Sequence, residues 1–78
     1  MTHRYAVVFD QGPDSVGAHV PDLPGCIAAG RDFQDAERLI REAIEAHIET
    51  LRSEGLPVPP PSTRCEYVET APSTSAGD

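Results

Sequence analysis

The hydrophobic positions of this 78-residue chain alternate with period two near its start and recur every three or four residues in its middle. Residues 5–9 (YAVVF) and 15–20 (SVGAHV) show the alternation, which predicts two β-strands. Residues 10–14 between them are turn formers and predict a hairpin loop. A third apolar run at residues 27–29 completes a predicted three-stranded antiparallel meander. The first strand is apolar on both faces, which favours cover by a helix on one face and a second subunit on the other.

A proline-containing turn joins the second and third predicted strands. Pro21 favours an extended backbone at Val20, so the second strand is expected to end there. Pro24 pre-sets φ at the second position of a turn, and Gly25 tolerates the positive φ that the third position of a type II turn requires. Gly30 is expected to break the third strand before a helix begins.

The longer period predicts one helix over residues 33–53. Asp32 is expected to cap its N-terminus, with Asp35 as a short-armed capping-box partner, and Gly55 is expected just beyond its C-terminus. At 1.5 Å per residue the helix is about 30 Å long, which is more than a three-stranded meander needs. Part of it is therefore expected to contact another molecule. Its apolar stripe comprises Ala36, Leu39, Ile40, Ala43, Ile44, His47, Ile48 and Leu51.

The chain after the helix predicts a stiff connector, a strand and a tail. The prolines forbid a helix and favour an extended backbone; they are Pro57, Pro59, Pro60 and Pro61. Residues 64–69 (RCEYVE) predict a short fourth strand at a sheet edge, beside strand one or strand three. Residues 70–78 are small and polar, which predicts a disordered tail. The expected architecture is thus one α+β domain over residues 1–69, with the order β-β-β-α-β.

Charge changes this picture by restricting the partners. Thirteen acidic and six basic residues give a net charge of −7, and every basic residue is arginine. Such a chain is unsuited to non-specific nucleic-acid binding and favours a cationic partner. A core this small also favours association with another chain. Neither a membrane-length apolar run nor a secretory signal pattern is seen, so the sequence predicts a cytoplasmic protein without membrane contact.

The candidate chemistry is sparse. Cys26 and Cys65 are expected to be reduced, buried small hydrophobes rather than a disulfide. Asp10, Asp14 and Asp22 fall at predicted strand ends or turns, where aspartate commonly hydrogen-bonds the local backbone. The sequence specifies no catalytic pair, metal-ligand spacing or phosphate-binding glycine pattern. No enzymatic activity, metal or cofactor is therefore predicted.

Several of these features occur together in a known family. The YAVVF strand, the hairpin, VPDLPGC, the DFQDA helix start, the EAI motif and the GLPVP exit resemble the HicB-like antitoxin family over residues 5–59. The resemblance implies a partial ribonuclease-H-like fold and the antidote role in a type II toxin–antitoxin pair. The usual partner is HicA, a small basic ribonuclease with a double-stranded-RNA-binding-domain-like fold and a catalytic histidine. Many members also carry a C-terminal DNA-binding segment that has no counterpart after Arg64, so DNA binding by this chain alone is not predicted.

The leading hypothesis is therefore a homodimeric or homotetrameric antitoxin that neutralises a HicA-like toxin without catalysis. Its candidate toxin contacts are Asp22, Leu23, Glu66 and Glu69, although these acids could equally cap a turn and keep a sheet edge soluble. The candidate oligomer interface lies near His47 and Leu51 or on the exposed sheet face. One alternative is an oligomeric HicB-like regulator or scaffold without a toxin. Another is a minimal metal-dependent nuclease centred on Asp10.

Overall fold

The computed structural model describes residues 4–71, which form a three-stranded sheet and one helix. The strands are antiparallel and lie in the order β1-β2-β3. Val8 pairs with His19, and His19 pairs with Ile27 across the sheet. The predicted α+β class and meander are thereby confirmed. The elements are β1 (Val8–Gln11), β2 (Val16–His19), β3 (Ile27–Gly30) and α1 (Phe33–Ser53).

The core lies between one face of the sheet and α1, which packs against β2 and β3. Val16 and Ala18 alternate with exposed or half-buried residues along β2, so their side chains point to the helix. Ala36 and Ile40 supply the buried stripe of α1. The complete set of buried hydrophobic residues in the described chain is Val16, Ala18, Val20, Leu23, Cys26, Ala36 and Ile40.

The N-terminus of α1 is fixed by two aspartates, as the sequence predicts. The Asp35 backbone N–H donates to Asp32 Oδ1 at 2.8 Å. Asp35 Oδ2 accepts the backbone N–H of Arg31 at 3.0 Å, and Asp35 Oδ1 accepts Arg38 Nη2 at 2.8 Å. The Arg31 N–H, followed by the Arg38 side chain, lowers the pKa of Asp35 below its usual value. In a capping box the side chain of Asp35 would accept the N–H of the N-cap, Asp32; here it accepts the N–H of Arg31, the residue before the N-cap.

The helix α1 ends just before Gly55, as the sequence predicts. Gly55 has a φ of 71°, in the left-handed region that favours glycine. Its N–H donates to the Arg52 carbonyl, and the Leu56 N–H donates to the Leu51 carbonyl. These two bonds form a Schellman motif, which satisfies carbonyls that a free helix end would leave unpaired.

The predicted fourth strand at residues 64–69 is not formed. Residues 57–71 contain neither helix nor strand. The chain does return beside the segment that precedes β1, where the Tyr5 hydroxyl donates to the Pro59 carbonyl. The stretch that reaches this edge is rich in proline, which has no N–H to donate to a ladder. Residues 72–78 of the predicted tail lie outside the described residues.

Candidate partner-binding surfaces

The turn between β2 and β3 has the predicted geometry. The Cys26 N–H donates to the Leu23 carbonyl at 3.0 Å, and the Leu23 N–H donates to the Val20 carbonyl at 3.1 Å. Gly25 has a φ of 85°, as the third position of a type II turn requires. This turn brings two apolar side chains back into the core, so it is a structural part of the domain as well as a connection.

Two side chains of this turn are buried. Leu23 has 0% of its surface exposed and packs against Ala18, Val20, Cys26 and Ile40. The side chain of Leu23, a predicted toxin contact, therefore has no exposed surface in the free chain. Cys26 is buried as predicted, and this burial raises the pKa of its thiol. Cys65 is a free thiol as well, but it is exposed rather than buried.

Within residues 4–71, Asp22 makes the largest group of side-chain hydrogen bonds between distant parts of the sequence. Its Oδ2 accepts the backbone N–H groups of Ser62 and Thr63, each at 2.8 Å. Its Oδ1 accepts the Ser62 hydroxyl at 3.0 Å and the Thr63 hydroxyl at 2.7 Å. We call these four hydrogen bonds the Asp22 clasp. The clasp ties the turn after β2 to the chain after the prolines, 40 residues away.

The clasp makes stability dependent on pH. The Thr63 and Ser62 N–H groups hold the pKa of Asp22 well below its usual range. The clasp therefore contributes its full stabilisation above the pKa of Asp22 in the unfolded chain, which is about 4. That contribution is lost as the pH falls through the lower pKa of Asp22 in the folded chain. We expect Asp22→Asn to flatten the acid limb of the stability curve, measured by urea unfolding between about pH 2 and 7.

Asp14→Asn is the matched control for this measurement, because Asp14 also lies in an exposed turn. It removes one carboxylate without touching the clasp. An acid limb equally steep in wild type and Asp22→Asn, with the control unchanged, contradicts a stabilising role for the clasp.

Residues 64–71 follow the clasp and are called the C-terminal arm. All of them are exposed, including the large hydrophobic side chains of Tyr67 and Val68. Glu66 Oε2 accepts Arg64 Nε at 3.1 Å. Glu69 has no ion pair within residues 4–71. Of the predicted contact residues, Glu66 and Glu69 therefore lie in the arm, and Asp22 binds the two residues that directly precede it.

A second surface is an open groove of about 880 Å³ between the first strand and α1. Its apolar lining includes Val7, Phe9, Ile44 and Ile48, and both arginines and glutamates contribute to it. The sequence pattern does not reveal this groove, because helical periodicity does not show which part of an apolar stripe the sheet leaves uncovered. Charges of both signs at the groove do not favour a partner of one charge.

The candidate oligomer residues lie on α1. His47 and Leu51 are half-buried and four residues apart, which places them on one helix face. Neither lines the groove. On the sheet face away from α1, Ile27 is 70% exposed and pairs with His19, whose own partner is Val8. A role for either surface in self-association stays a prediction.

No metal-binding arrangement is found within residues 4–71, since no three His, Cys, Asp or Glu side chains are grouped to hold an ion. Asp10, on which the nuclease alternative depends, is exposed at β1 opposite Gly17. The same part of the chain contains no helix that is long and apolar enough to cross a bilayer.

Family comparison identifies the class of protein that has this fold. The chain matches, over residues 5–76, a family described as the HicB-like antitoxin of bacterial toxin–antitoxin systems. The chain belongs to the HicB-like antitoxin family, as the sequence motifs predict.

Individual relatives agree with this placement. A UPF0150 protein of Synechocystis is 41% identical over 59 residues, covering 73% of each chain. A UPF0150 protein of Thermoplasma acidophilum is 35% identical over 57 residues, covering 72% of this chain and 83% of its own. Among solved structures, a chain of a HicA3 and HicB3 toxin–antitoxin complex superposes with a TM-score of 0.66 at 35% identity. That match covers 76% of this chain and 70% of the other.

Proposed function

We propose that this chain is an antitoxin that binds a small basic HicA-like ribonuclease and neutralises it without catalysing any reaction. The observation that carries the proposal is the similarity in fold and sequence to a chain of a toxin–antitoxin complex. Membership of the HicB-like family supports it independently. The pair would act in the cytoplasm, where such a toxin meets its RNA.

The charge of the chain supports the same partner chemistry. A net charge of −7 with no lysine attracts a cationic protein surface and repels RNA, the toxin's substrate. An antitoxin of this kind works by covering the surface that RNA uses. Of the three predicted acidic contacts, Glu66 and Glu69 are proposed to face the toxin, because Asp22 has both carboxylate oxygens engaged within the chain.

Co-expression with a small basic HicA-like protein, sought in the adjacent reading frame, tests the proposal. We expect the two chains to co-purify and growth to recover, and we expect the complex to weaken with salt because the contact is partly ionic. Persistent toxicity without co-purification contradicts the proposal and favours the regulator without a toxin. RNA cleavage by the isolated chain with Mg²⁺ contradicts it in favour of the nuclease.

The same proposal includes self-association through α1. Replacing Leu51 with aspartate puts a charge on a half-buried apolar position, so we expect a wild-type dimer or tetramer to shift to monomer in sedimentation. Thr50→Asp is the matched control, because Thr50 is the exposed neighbour. Circular dichroism checks that both variants remain helical. An unchanged mass for Leu51→Asp places the interface elsewhere.

A further inference from the structure

In the Asp22 clasp, one carboxylate accepts four hydrogen bonds from two consecutive residues. Two donors are the backbone N–H groups of Ser62 and Thr63, and two are their hydroxyls. Hydrogen bonds to an ionised acceptor are stronger than those between neutral groups. Fixing two consecutive N–H groups also fixes the direction in which the chain leaves Thr63.

The chain that leaves the clasp is the C-terminal arm. The arm lacks ladder hydrogen bonds, and Val68 is 79% exposed while Tyr67 is fully exposed. No buried hydrophobic residue lies beyond Ile40 in the described chain, so the arm adds nothing to the core. Its position therefore depends on its attachment at Ser62 and Thr63 and on the Tyr5 bond to Pro59.

We propose that the Asp22 clasp pre-orders the C-terminal arm as the element that docks on the cationic toxin, which makes Asp22 a positioning residue for toxin binding. This inference rests on the proposed antitoxin function. The arm offers an exposed aromatic and an exposed aliphatic side chain beside Glu66 and Glu69, which is suitable for an apolar contact rimmed by acidic groups. Ordering the arm before binding removes an entropic cost that the complex would otherwise carry.

The first experiment measures arm order in the free chain by amide hydrogen exchange and NMR relaxation. Asp22→Asn keeps the shape of the side chain but replaces two ionised acceptors by one neutral acceptor and a donor. We expect faster exchange at the Ser62 and Thr63 amides, which donate to Asp22, and lower backbone order parameters from NMR relaxation over residues 64–71, with α1 and the sheet unchanged. Asp14→Asn, which removes the same charge from an exposed turn, should leave the arm as in wild type. Equal exchange or equal order parameters in wild type and Asp22→Asn overturn the inference.

The second experiment measures, by calorimetry, binding to the small basic HicA-like protein used in the co-expression test. We expect Asp22→Asn to weaken binding on the order of tenfold, and Asp14→Asn much less. A double variant, Ser62→Ala with Thr63→Val, removes the two hydroxyl donors from the other side and should weaken binding in the same direction. Replacing Tyr67 and Val68 with alanine should weaken it while leaving the clasp intact.

The outcomes separate the two proposals. Failure of wild type to bind the basic protein overturns the proposed function and this inference with it. Tight binding by wild type, with Asp22→Asn or the Tyr67 and Val68 double variant unaffected, overturns the inference alone. In that case the toxin docks on another surface, and the clasp serves stability only.

Discussion

Replacing Leu23 with alanine is expected to lower the free energy of unfolding by about 2–5 kcal/mol. The Leu23 side chain is fully buried among four other core residues, so its removal loses hydrophobic burial and leaves a cavity. A domain of this size has only about 3–5 kcal/mol of stability from its core. Urea unfolding followed by circular dichroism should therefore show a variant that is largely unfolded before denaturant is added.

Ile27→Ala is the matched control for this prediction. Ile27 belongs to the same sheet but is 70% exposed, so the same kind of truncation should change stability by less than about 0.5 kcal/mol. Similar losses in the two variants would show that Leu23 is not the centre of the core.

Replacing Gly30 with alanine is the second change with a large expected effect. A Cβ atom at this position would lie 2.4 Å from the Ala36 backbone nitrogen and 2.7 Å from the Asp35 carbonyl carbon. Both neighbours are backbone atoms in the first turns of α1, so the helix itself would have to move. We expect a loss of about 3 kcal/mol in the free energy of unfolding.

Gly17→Ala provides the comparison for this substitution. A Cβ atom there meets only the Asp10 carbonyl oxygen, at 4.0 Å, which is an ordinary contact. Urea unfolding of the two variants should give a much larger loss for Gly30→Ala. Equal small losses would contradict the close approach of α1 to the end of β3.

Local patterns were sufficient for most of the fold. The helix boundaries followed from Asp32, Asp35 and Gly55, because capping depends on residues only a few positions apart. The meander followed from alternation, and the turn geometry followed from Pro24 and Gly25. In each case the interaction that decides the structure lies within a short stretch of sequence.

Interactions between distant segments could not be predicted in this way. Leu23 was expected at the surface because turns are usually exposed, yet the turn folds back into the core. Gly30 was expected to break β3, whereas it is the last residue of that strand and admits α1. The Asp22 clasp joins residues 40 positions apart, and no periodicity links them. Whether residues 64–69 form a fourth strand depends on where the proline-rich stretch before them places them relative to the sheet, and their own alternation does not show this.

The burial of Leu23 and the hydrogen bonds of Asp22 reduce the number of predicted toxin contacts that are exposed. With Leu23 in the core and Asp22 in the clasp, the exposed residues among the predicted contacts are Glu66 and Glu69 in the C-terminal arm. Under the proposed function, the turn would support the arm and would not itself dock on the toxin. This assignment of roles to the turn and the arm is based on the burial and hydrogen bonding of their residues.

The most direct test of the central claim is a titration of the purified chain into a small basic HicA-like ribonuclease, sought in the adjacent reading frame, with RNA cleavage as the readout. Inhibition by covering a surface predicts that cleavage falls in proportion to added chain and ceases at a fixed stoichiometric ratio, while the chain alone leaves RNA intact. Undiminished cleavage at a large excess of the chain, or cleavage by the chain itself, would contradict the claim.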